Sequence, residues 1–343
     1  MNISTSQSLE EMYCFPSIEG SCIRSKLPAT VNVVLYALIV AIIITVICGN
    51  LVVIISVSHF KELHTPTNFI TLSLAVTDFL VGLLVLPFSM VRSIETCWYF
   101  GKTFCKIHSA FDMAFTTVSV FHLCFIAVDR YYNICDPLHY SLKITLTVIT
   151  IFLPVCWAVP ICLSYFLVFF GSNIEYTSLA SLSCEGLCIP TVDKVWAVIV
   201  PIVNCFLPAS VMIGLYFNIF VVARKHAKVI NGIRDKITSV KKHIKHIKAA
   251  EQKATKTLIL IMGAFLFCWI PITIITLMIF YFNIFVPSFI FEALIWLAYF
   301  NSACNPIIYG FFYPWFRITF KLVLTGKIFT IASSTFNLSS ENH

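Results

Sequence analysis

The feature that most constrains the fold is a series of seven apolar segments, each about 20 residues or longer. A helix of that length crosses the hydrocarbon core of a bilayer, and a helix satisfies its own backbone hydrogen bonds where lipid cannot. The segments cover residues 32–58, 67–92, 105–133, 144–170, 194–222, 256–282 and 287–312. The sequence therefore predicts an all-α membrane protein built as a seven-transmembrane helix bundle.

The placement of charge predicts the orientation. Only 11% of the residues are charged, which is about half the fraction in soluble proteins. The net charge of +7 is confined to short stretches between apolar segments, so it indicates cytoplasmic loops and lipid contact rather than nucleic-acid binding. The densest basic stretch lies between the fifth and sixth segments. We therefore expect a multi-pass plasma-membrane protein whose N-terminus is extracellular.

Three regions follow from this pattern. Residues 1–31 are polar, carry a glycosylation sequon at Asn2 and are predicted to form an extracellular N-terminus without a cleavable signal. Residues 32–312 form the membrane domain. Residues 313–343 begin with a short amphipathic, basic stretch at 314–329, which predicts a cytoplasmic helix lying along the inner membrane surface, followed by a tail.

The third segment carries an ionisable group near each end. Asp112 and Arg130 are 18 residues apart, or about 27 Å along a helix, which is close to the thickness of one bilayer core. A charged group inside a membrane is costly, so each of these residues is a candidate for function. The alternative for Asp112 is an acid that simply faces water on the outer half of the helix.

Polar residues also lie in the middle of several segments. A mutual network that includes water and a sodium ion near Asp78 would satisfy them, and ordinary hydrogen bonding between packed helices is the alternative interpretation. We expect no other cofactor. The residues are Asn50, Asp78, Ser119, Asn301, Ser302 and Asn305.

The cysteines on the outer side predict disulfides. Cys105 opens the third segment, and 184-CEGLC-188 lies in the loop before the fifth. An oxidising exterior favours a bridge from Cys105 to that loop, while Cys14 or Cys22 could take the loop's other cysteine. No outer histidine cluster accompanies them, so no metal site is expected.

The chain resembles the rhodopsin-like G protein-coupled receptors over essentially its whole length. The resemblance rests on motifs that occur in a fixed order. They are Gly49-Asn50 with Val53, Leu74-Ala75 with Asp78, Asp129-Arg130-Tyr131, Trp157, Pro208 with Tyr216, Phe265 with 268-CWIP-271, and 305-NPIIY-309.

Three stretches are similar to the trace amine-associated receptors, namely 59–69, 97–108 and 301-NSACNPIIYGFFYPWF-316. This resemblance implies bridges Cys105–Cys188 and Cys22–Cys184, and it implies that Asp112 pairs with a protonated amine ligand. An ion pair in a partly dry site is stronger than in water, which supports that role. The ligand-binding residues that it implies are Asp112, Met113, Thr116, Asn204, Trp269, Thr273, Trp296 and Tyr299.

The resemblance also implies coupling to a heterotrimeric G protein, of the stimulatory type that raises cAMP. Arg130 would pair with Asp129 locally and with Glu251 in the inactive state, and agonist would release it. Tyr216 and Tyr309 would stabilise the active state. The residues assigned to coupling and activation are Asp129, Arg130, Tyr131, Tyr216, Glu251 and Tyr309.

The chain departs from the amine-receptor pattern where ligand chemistry is read. Ile272 and Thr273 follow Pro271 in place of two aromatic residues, and the fifth segment lacks both a hydroxyl cluster and a second acid. A small apolar monoamine is therefore predicted, and the resemblance to the trace amine-associated receptors implies an olfactory receptor. A neurotransmitter-type aminergic receptor is the alternative, and an ion-coupled secondary transporter is the alternative from another class, although no internal repeat is present. Without an HExxH or GxSxG motif, the chain is not expected to be an enzyme.

Overall fold

A computed structural model of the chain describes residues 12–25, 27–170, 184–188, 194–233 and 241–329. For helical residues 194–197, 223, 226–233, 241–256 and 258, the description covers the backbone alone. The predicted glycosylation of Asn2 and the side chain of Glu251 lie outside the described part of the chain.

The described residues form nine α-helices, and each predicted segment corresponds to one of them. Six helices contain a stretch that is long and apolar enough to cross a bilayer, and α8 does so together with α9, from which it is bent by 102°. The helix α9 is the amphipathic helix predicted after the last span. The bounds are α1 (Ala29–His59), α2 (Pro66–Glu95), α3 (Gly101–Cys135), α4 (Pro137–Lys143), α5 (Leu146–Phe170), α6 (194–233), α7 (Lys241–Phe282), α8 (Ser288–Phe312) and α9 (Pro314–Leu324).

Several helices are longer than their apolar segments. The helix α3 begins at Gly101 rather than at Cys105, and α7 begins at Lys241 rather than at residue 256. Lysine, alanine, glutamate and glutamine are good helix formers, so the polar run before residue 256 continues the same helix out of the membrane. Hydropathy finds only the part of a helix that lies in lipid.

Local sequence fixes two features of α2. The side chain of Thr65 accepts a hydrogen bond from the backbone N–H of Asn68 at 3.3 Å, and Pro66 occupies the first turn, as is usual at helix starts. A π-helical turn at Val81–Val85 comes just before Pro87, and a second one at Ile202–Phe206 in α6 comes just before Pro208. The wider turn relieves the clash between a proline ring and the carbonyl one turn earlier.

A close contact between the first and last spanning helices depends on a glycine. A Cβ atom at Gly49 of α1 would lie only 2.7 Å from the side chain of Pro306 in α8. Only glycine allows this distance. The neighbouring Asn50 then donates to the backbone oxygen of Ser302 at 3.1 Å, which joins the same two helices.

Three disulfides close one end of the bundle, which we call the disulfide end; the opposite end is the Arg130 end. Two of the bridges, Cys22–Cys184 and Cys105–Cys188, are those that the family resemblance implies. The third joins Cys14 to Cys97, the residue that follows α2 closely. The segment around Cys14 therefore contacts both the loop at 184–188 and the turn between α2 and α3.

The third bridge was not predicted from the sequence. Cys14 was considered as a partner for the 184–188 loop, but in the structure it pairs with Cys97 instead. The backbone explains this choice, because Cys14 N–H donates to Cys22 O and Cys22 N–H donates to Glu185 O, both at 2.9 Å. Trp98 N–H also donates to Gly186 O at 2.8 Å. These bonds hold the N-terminal segment, the 184–188 loop and the turn before α3 side by side. Cys14 therefore faces Cys97, and Cys22 faces Cys184.

The double substitution Cys14→Ser/Cys97→Ser is expected to destabilise the purified protein by about 2 kcal/mol or more, because it removes a cross-link between distant parts of the chain. Thermal unfolding in detergent, monitored by the labelling of buried thiols as they become exposed, should show a lower apparent Tm. Cys48→Ser is the matched control, since Cys48 is an exposed free thiol on α1. Non-reducing peptide mapping that recovered Cys14 and Cys97 as free thiols would contradict the assignment.

Candidate functional site

Asp112 lies on α3 toward the disulfide end and contacts α8. The hydroxyl of Tyr299 donates to Asp112 Oδ2 at 2.6 Å, and the same hydroxyl lies 3.3 Å from Ser89 Oγ on α2. Tyr299 is buried, whereas Asp112 is half-buried. The structure therefore holds a carboxylate in a fixed position between three helices and leaves part of it accessible.

Two predicted ligand-binding threonines use their hydroxyls within their own helices. Thr116 Oγ1 donates to the backbone oxygen of Asp112 at 2.6 Å, and Thr273 Oγ1 donates to the backbone oxygen of Trp269 at 2.7 Å. Such bonds are common for threonine inside helices. Thr116 and Thr273 therefore offer methyl groups rather than hydroxyls to a neighbouring ligand.

The predicted aromatic residues differ in their surroundings. Trp296 is buried, donates through Nε1 to Ser93 Oγ at 3.0 Å and packs in an apolar cluster with residues of α1 and α2. Trp269 on α7 is half-buried, and its indole N–H has no hydrogen-bond partner among the described residues. Met113 and Asn204 are also half-buried, and Asn204 lies in the π-helical turn of α6.

The structure adds polar residues that sequence reasoning did not select. Ser89, Arg92 and Ser93 lie three and four residues apart on α2, and Ser93 Oγ donates to Glu292 Oε2 of α8 at 2.5 Å. Next to them, His108 Nε2 lies 3.3 Å from Ser89 Oγ. Arg92, His108 and Glu292 all fall inside predicted apolar segments. A search for every ionisable residue within those segments would have found them.

A second buried carboxylate lies in the middle of the bundle. Asp78 of α2 is fully buried and accepts hydrogen bonds from Ser119 at 3.1 Å, Ser302 at 2.9 Å and Asn305 at 2.8 Å. The structure thus brings Asp78 together with three of the other five polar residues selected from the sequence. Asn301 is buried on α8 but is not among the three donors to Asp78.

The oxygen atoms of this network suit the sodium ion considered from the sequence. Hard cations prefer oxygen ligands, and Asp78, Ser119 and Ser302 bring carboxylate and hydroxyl oxygens together. These three residues would hold the ion. Asn305 presents its amide nitrogen to Asp78 and would remain a hydrogen-bond donor.

At the Arg130 end, the Asp129 carboxylate has three kinds of partner. Arg130 Nη2 lies 2.8 Å from Asp129 Oδ2, Thr67 Oγ1 donates to both carboxylate oxygens at 3.0 Å, and Tyr140 OH donates to Oδ1 at 2.9 Å. Asp129 is fully buried and Arg130 is not. The acid of the 129–131 motif is therefore the local partner of Arg130.

The remaining residues assigned to activation come from different helices. Tyr216 of α6 and Tyr309 of α8 are both buried, and the Tyr309 ring packs edge-on against Tyr313 with centroids 5.6 Å apart. Tyr131 is half-buried and packs edge-on against the neighbouring Tyr132.

Comparison with known proteins identifies the family. Residues 49–309 match the model of the 7 transmembrane receptor (rhodopsin family). The chain is 46% identical over 334 residues to Trace amine-associated receptor 4 of Rattus norvegicus, covering 96% of each chain. It is 44% identical to Trace amine-associated receptor 2 of Homo sapiens over 330 residues, covering 95% of this chain and 92% of the relative.

A more distant vertebrate relative gives the same result. Trace amine-associated receptor 13c of Danio rerio is 42% identical over 340 residues, which cover 98% of this chain and 99% of the relative. These relatives are receptors and not enzymes by name, and they match the chain almost from end to end. The chain therefore belongs to the rhodopsin family of seven-transmembrane receptors and, within it, to the trace amine-associated receptors.

Proposed function

We propose that the chain is a plasma-membrane receptor that binds a small apolar monoamine at Asp112 and activates a stimulatory G protein, raising cAMP. The observation that carries the proposal is the fixed, half-buried Asp112 carboxylate between α2, α3 and α8. The disulfide end would be extracellular, since disulfides form in oxidising compartments. The names of the relatives support an amine ligand.

The geometry at Asp112 suits an ammonium group. Tyr299 OH donates to Oδ2, which orients the carboxylate, and the ligand's ammonium would bind at Oδ1. A charge-assisted hydrogen bond is stronger than a neutral one, and more so where water is partly excluded. The ligand would thus form an ion pair with a carboxylate that needs no rearrangement.

The surroundings favour an apolar amine over a catechol. The hydroxyls of Thr116 and Thr273 are already bonded to their own helix backbones, so the methyl groups are the parts free to contact a ligand. Thr273 also contacts the thiol of Cys205 in α6. Catechol recognition would require free hydroxyls on this helix. On the α3 and α7 sides of the anchor, the lining therefore offers few polar partners.

The Arg130 end would couple to the G protein. In the structure, Asp129 holds Arg130 by an ion pair, while Thr67 and Tyr140 orient the carboxylate. Agonist would shift the population toward a state in which Arg130 leaves Asp129 and contacts the partner. The same end carries the basic stretch between α6 and α7, as expected for a cytoplasmic face.

A screen of volatile amines for cAMP production in cells that express the chain tests the proposed ligand class. Asp112→Asn is expected to raise the EC50 of an active monoamine by about 30-fold or more, because removing one partner of such an ion pair costs about 2–5 kcal/mol. Glu19→Gln is the matched control, since Glu19 is an exposed acid at the same end. An unchanged EC50 in Asp112→Asn, at equal surface expression, would overturn the anchor assignment.

Asp129→Asn is expected to raise ligand-independent cAMP several-fold, because Arg130 then loses its ionic partner. The measurement is basal cAMP per receptor at the cell surface. Asp136→Asn is the control: Asp136 lies at the same end, and the hydrogen bond from His139, with Lys143 nearby, lowers its pKa, so this change also removes one negative charge. Equal basal activity in Asp129→Asn and the wild type would argue against the Asp129–Arg130 restraint.

A further inference from the structure

A polar cluster lies between α2 and α8 beside the Asp112 site. We call it the α2–α8 cluster; it comprises Ser89, Arg92, Ser93 and Glu292. Ser89 reaches Tyr299 OH at 3.3 Å, and Ser93 bridges Glu292 Oε2 at 2.5 Å and Trp296 Nε1 at 3.0 Å. Since residues three and four apart share one face of a helix, Arg92 projects from α2 on the face that carries these contacts.

Arg92 is half-buried and lies near two acids. Its Nε atom is inaccessible to solvent and has no hydrogen-bond partner among the described residues. Its guanidinium interacts electrostatically with Tyr299, Glu292 and Asp112. A cation that is partly removed from water is stabilised by nearby negative charge, and Glu292 and Asp112 provide it from two other helices.

The other ionisable groups nearby add no net charge. Glu95 forms an ion pair with Arg24 and accepts a hydrogen bond from Tyr36 OH at 2.7 Å. His108 Nε2 lies 3.2 Å from the backbone oxygen of Val85 and therefore donates to it, while its Nδ1 is buried without a partner. A protonated imidazole would bury an unsatisfied N–H at Nδ1, so this histidine is neutral.

We infer that Arg92 restricts the receptor to ligands with one positive charge, by neutralising Glu292 beside the Asp112 anchor. Two carboxylates and one guanidinium leave a single net negative charge in the region. One ammonium balances that charge, whereas a second ammonium would meet Arg92. This inference rests on the proposed amine-binding function and adds to it the residue that sets the charge of the ligand.

The acid that a diamine would need is present, but Arg92 lies near it. The absence of a second acid in the fifth span predicted a monoamine from the sequence, yet Glu292 on α8 is such an acid. The nearby charge of Arg92 offsets that of Glu292, which leads to the same preference by a different route. A role for Arg92 in binding a ligand's carboxylate is disfavoured, because that anion would lie beside Asp112 and Glu292.

The test compares straight-chain diamines with monoamines of the same length on Arg92→Gln. We expect the EC50 for at least one diamine to fall by about tenfold or more relative to the wild type, because Glu292 is then free to pair with the second ammonium. Arg92→Gln/Glu292→Gln restores one net negative charge and should lose this gain. Both variants are measured at matched surface expression.

Two control variants separate charge from shape and from surface electrostatics. Arg92→Lys keeps the positive charge and should keep the preference for monoamines. Lys106→Gln removes one positive charge from an exposed site at the disulfide end and should leave the EC50 of both ligand classes unchanged.

If Arg92→Gln fails to reach the cell surface, Glu292→Gln in the wild-type background provides the second measurement. It leaves no net charge in the region, so a monoamine EC50 raised by about tenfold or more is expected, and an unchanged one contradicts the inference.

The outcomes distinguish this inference from the proposed function. If the wild type responds to monoamines and Asp112→Asn raises their EC50 as predicted, but Arg92→Gln gains no diamine response, the inference alone is wrong. If the wild type responds best to a zwitterionic amino acid and Arg92→Gln abolishes that response, Arg92 binds the ligand's carboxylate and the inference is overturned. If no amine activates the wild type, the proposed function itself fails.

Discussion

The hydrogen bonding of the Asp78 carboxylate is the constraint on which the helix bundle depends. A fully buried acid in the middle of a membrane protein is costly unless several donors meet it. Ser119 comes from α3, while Ser302 and Asn305 come from α8, so these two helices must approach α2 at one depth. The close contact of Gly49 with Pro306 brings α1 to the same level. The polar centre thus fixes the relative positions of four helices that apolar packing alone would leave free to slide.

The two ends of α3 solve a similar electrostatic problem with the same kinds of residue. At the disulfide end, Asp112 accepts a hydrogen bond from Tyr299 and lies within electrostatic reach of Arg92. At the Arg130 end, Asp129 accepts one from Tyr140 and pairs with Arg130. The two carboxylates differ in their accessibility to solvent. Asp112 is half-buried, which suits a carboxylate that receives a ligand, whereas Asp129 is fully buried and its arginine is the more exposed partner.

The sequence predicted the spanning helices well because each depends on a local property, the length of an apolar run. It predicted the helix ends less well, since α7 continues to Lys241 through polar residues that form a helix equally readily. The same limit applies to side chains. Asp112 and Tyr299 could be selected from a family pattern, but Trp296 proved to pack against α1 and α2 with its indole N–H bonded to Ser93. The direction of a side chain around a helix depends on how that helix is rotated against its neighbours.

The sequence by itself determined the class of the molecule, the number of spanning helices and the acids that most need partners, because hydropathy and the cost of buried charge act residue by residue. Tertiary structure alone decided which groups meet. It paired Cys14 with Cys97, which lie 83 residues apart, and it placed Arg92 beside Glu292, a residue of another helix. No local rule links such positions, since their proximity follows from the packing of helices around a shared polar centre. The charge that a ligand encounters at Asp112 is therefore a property of the folded bundle and not of α3 alone.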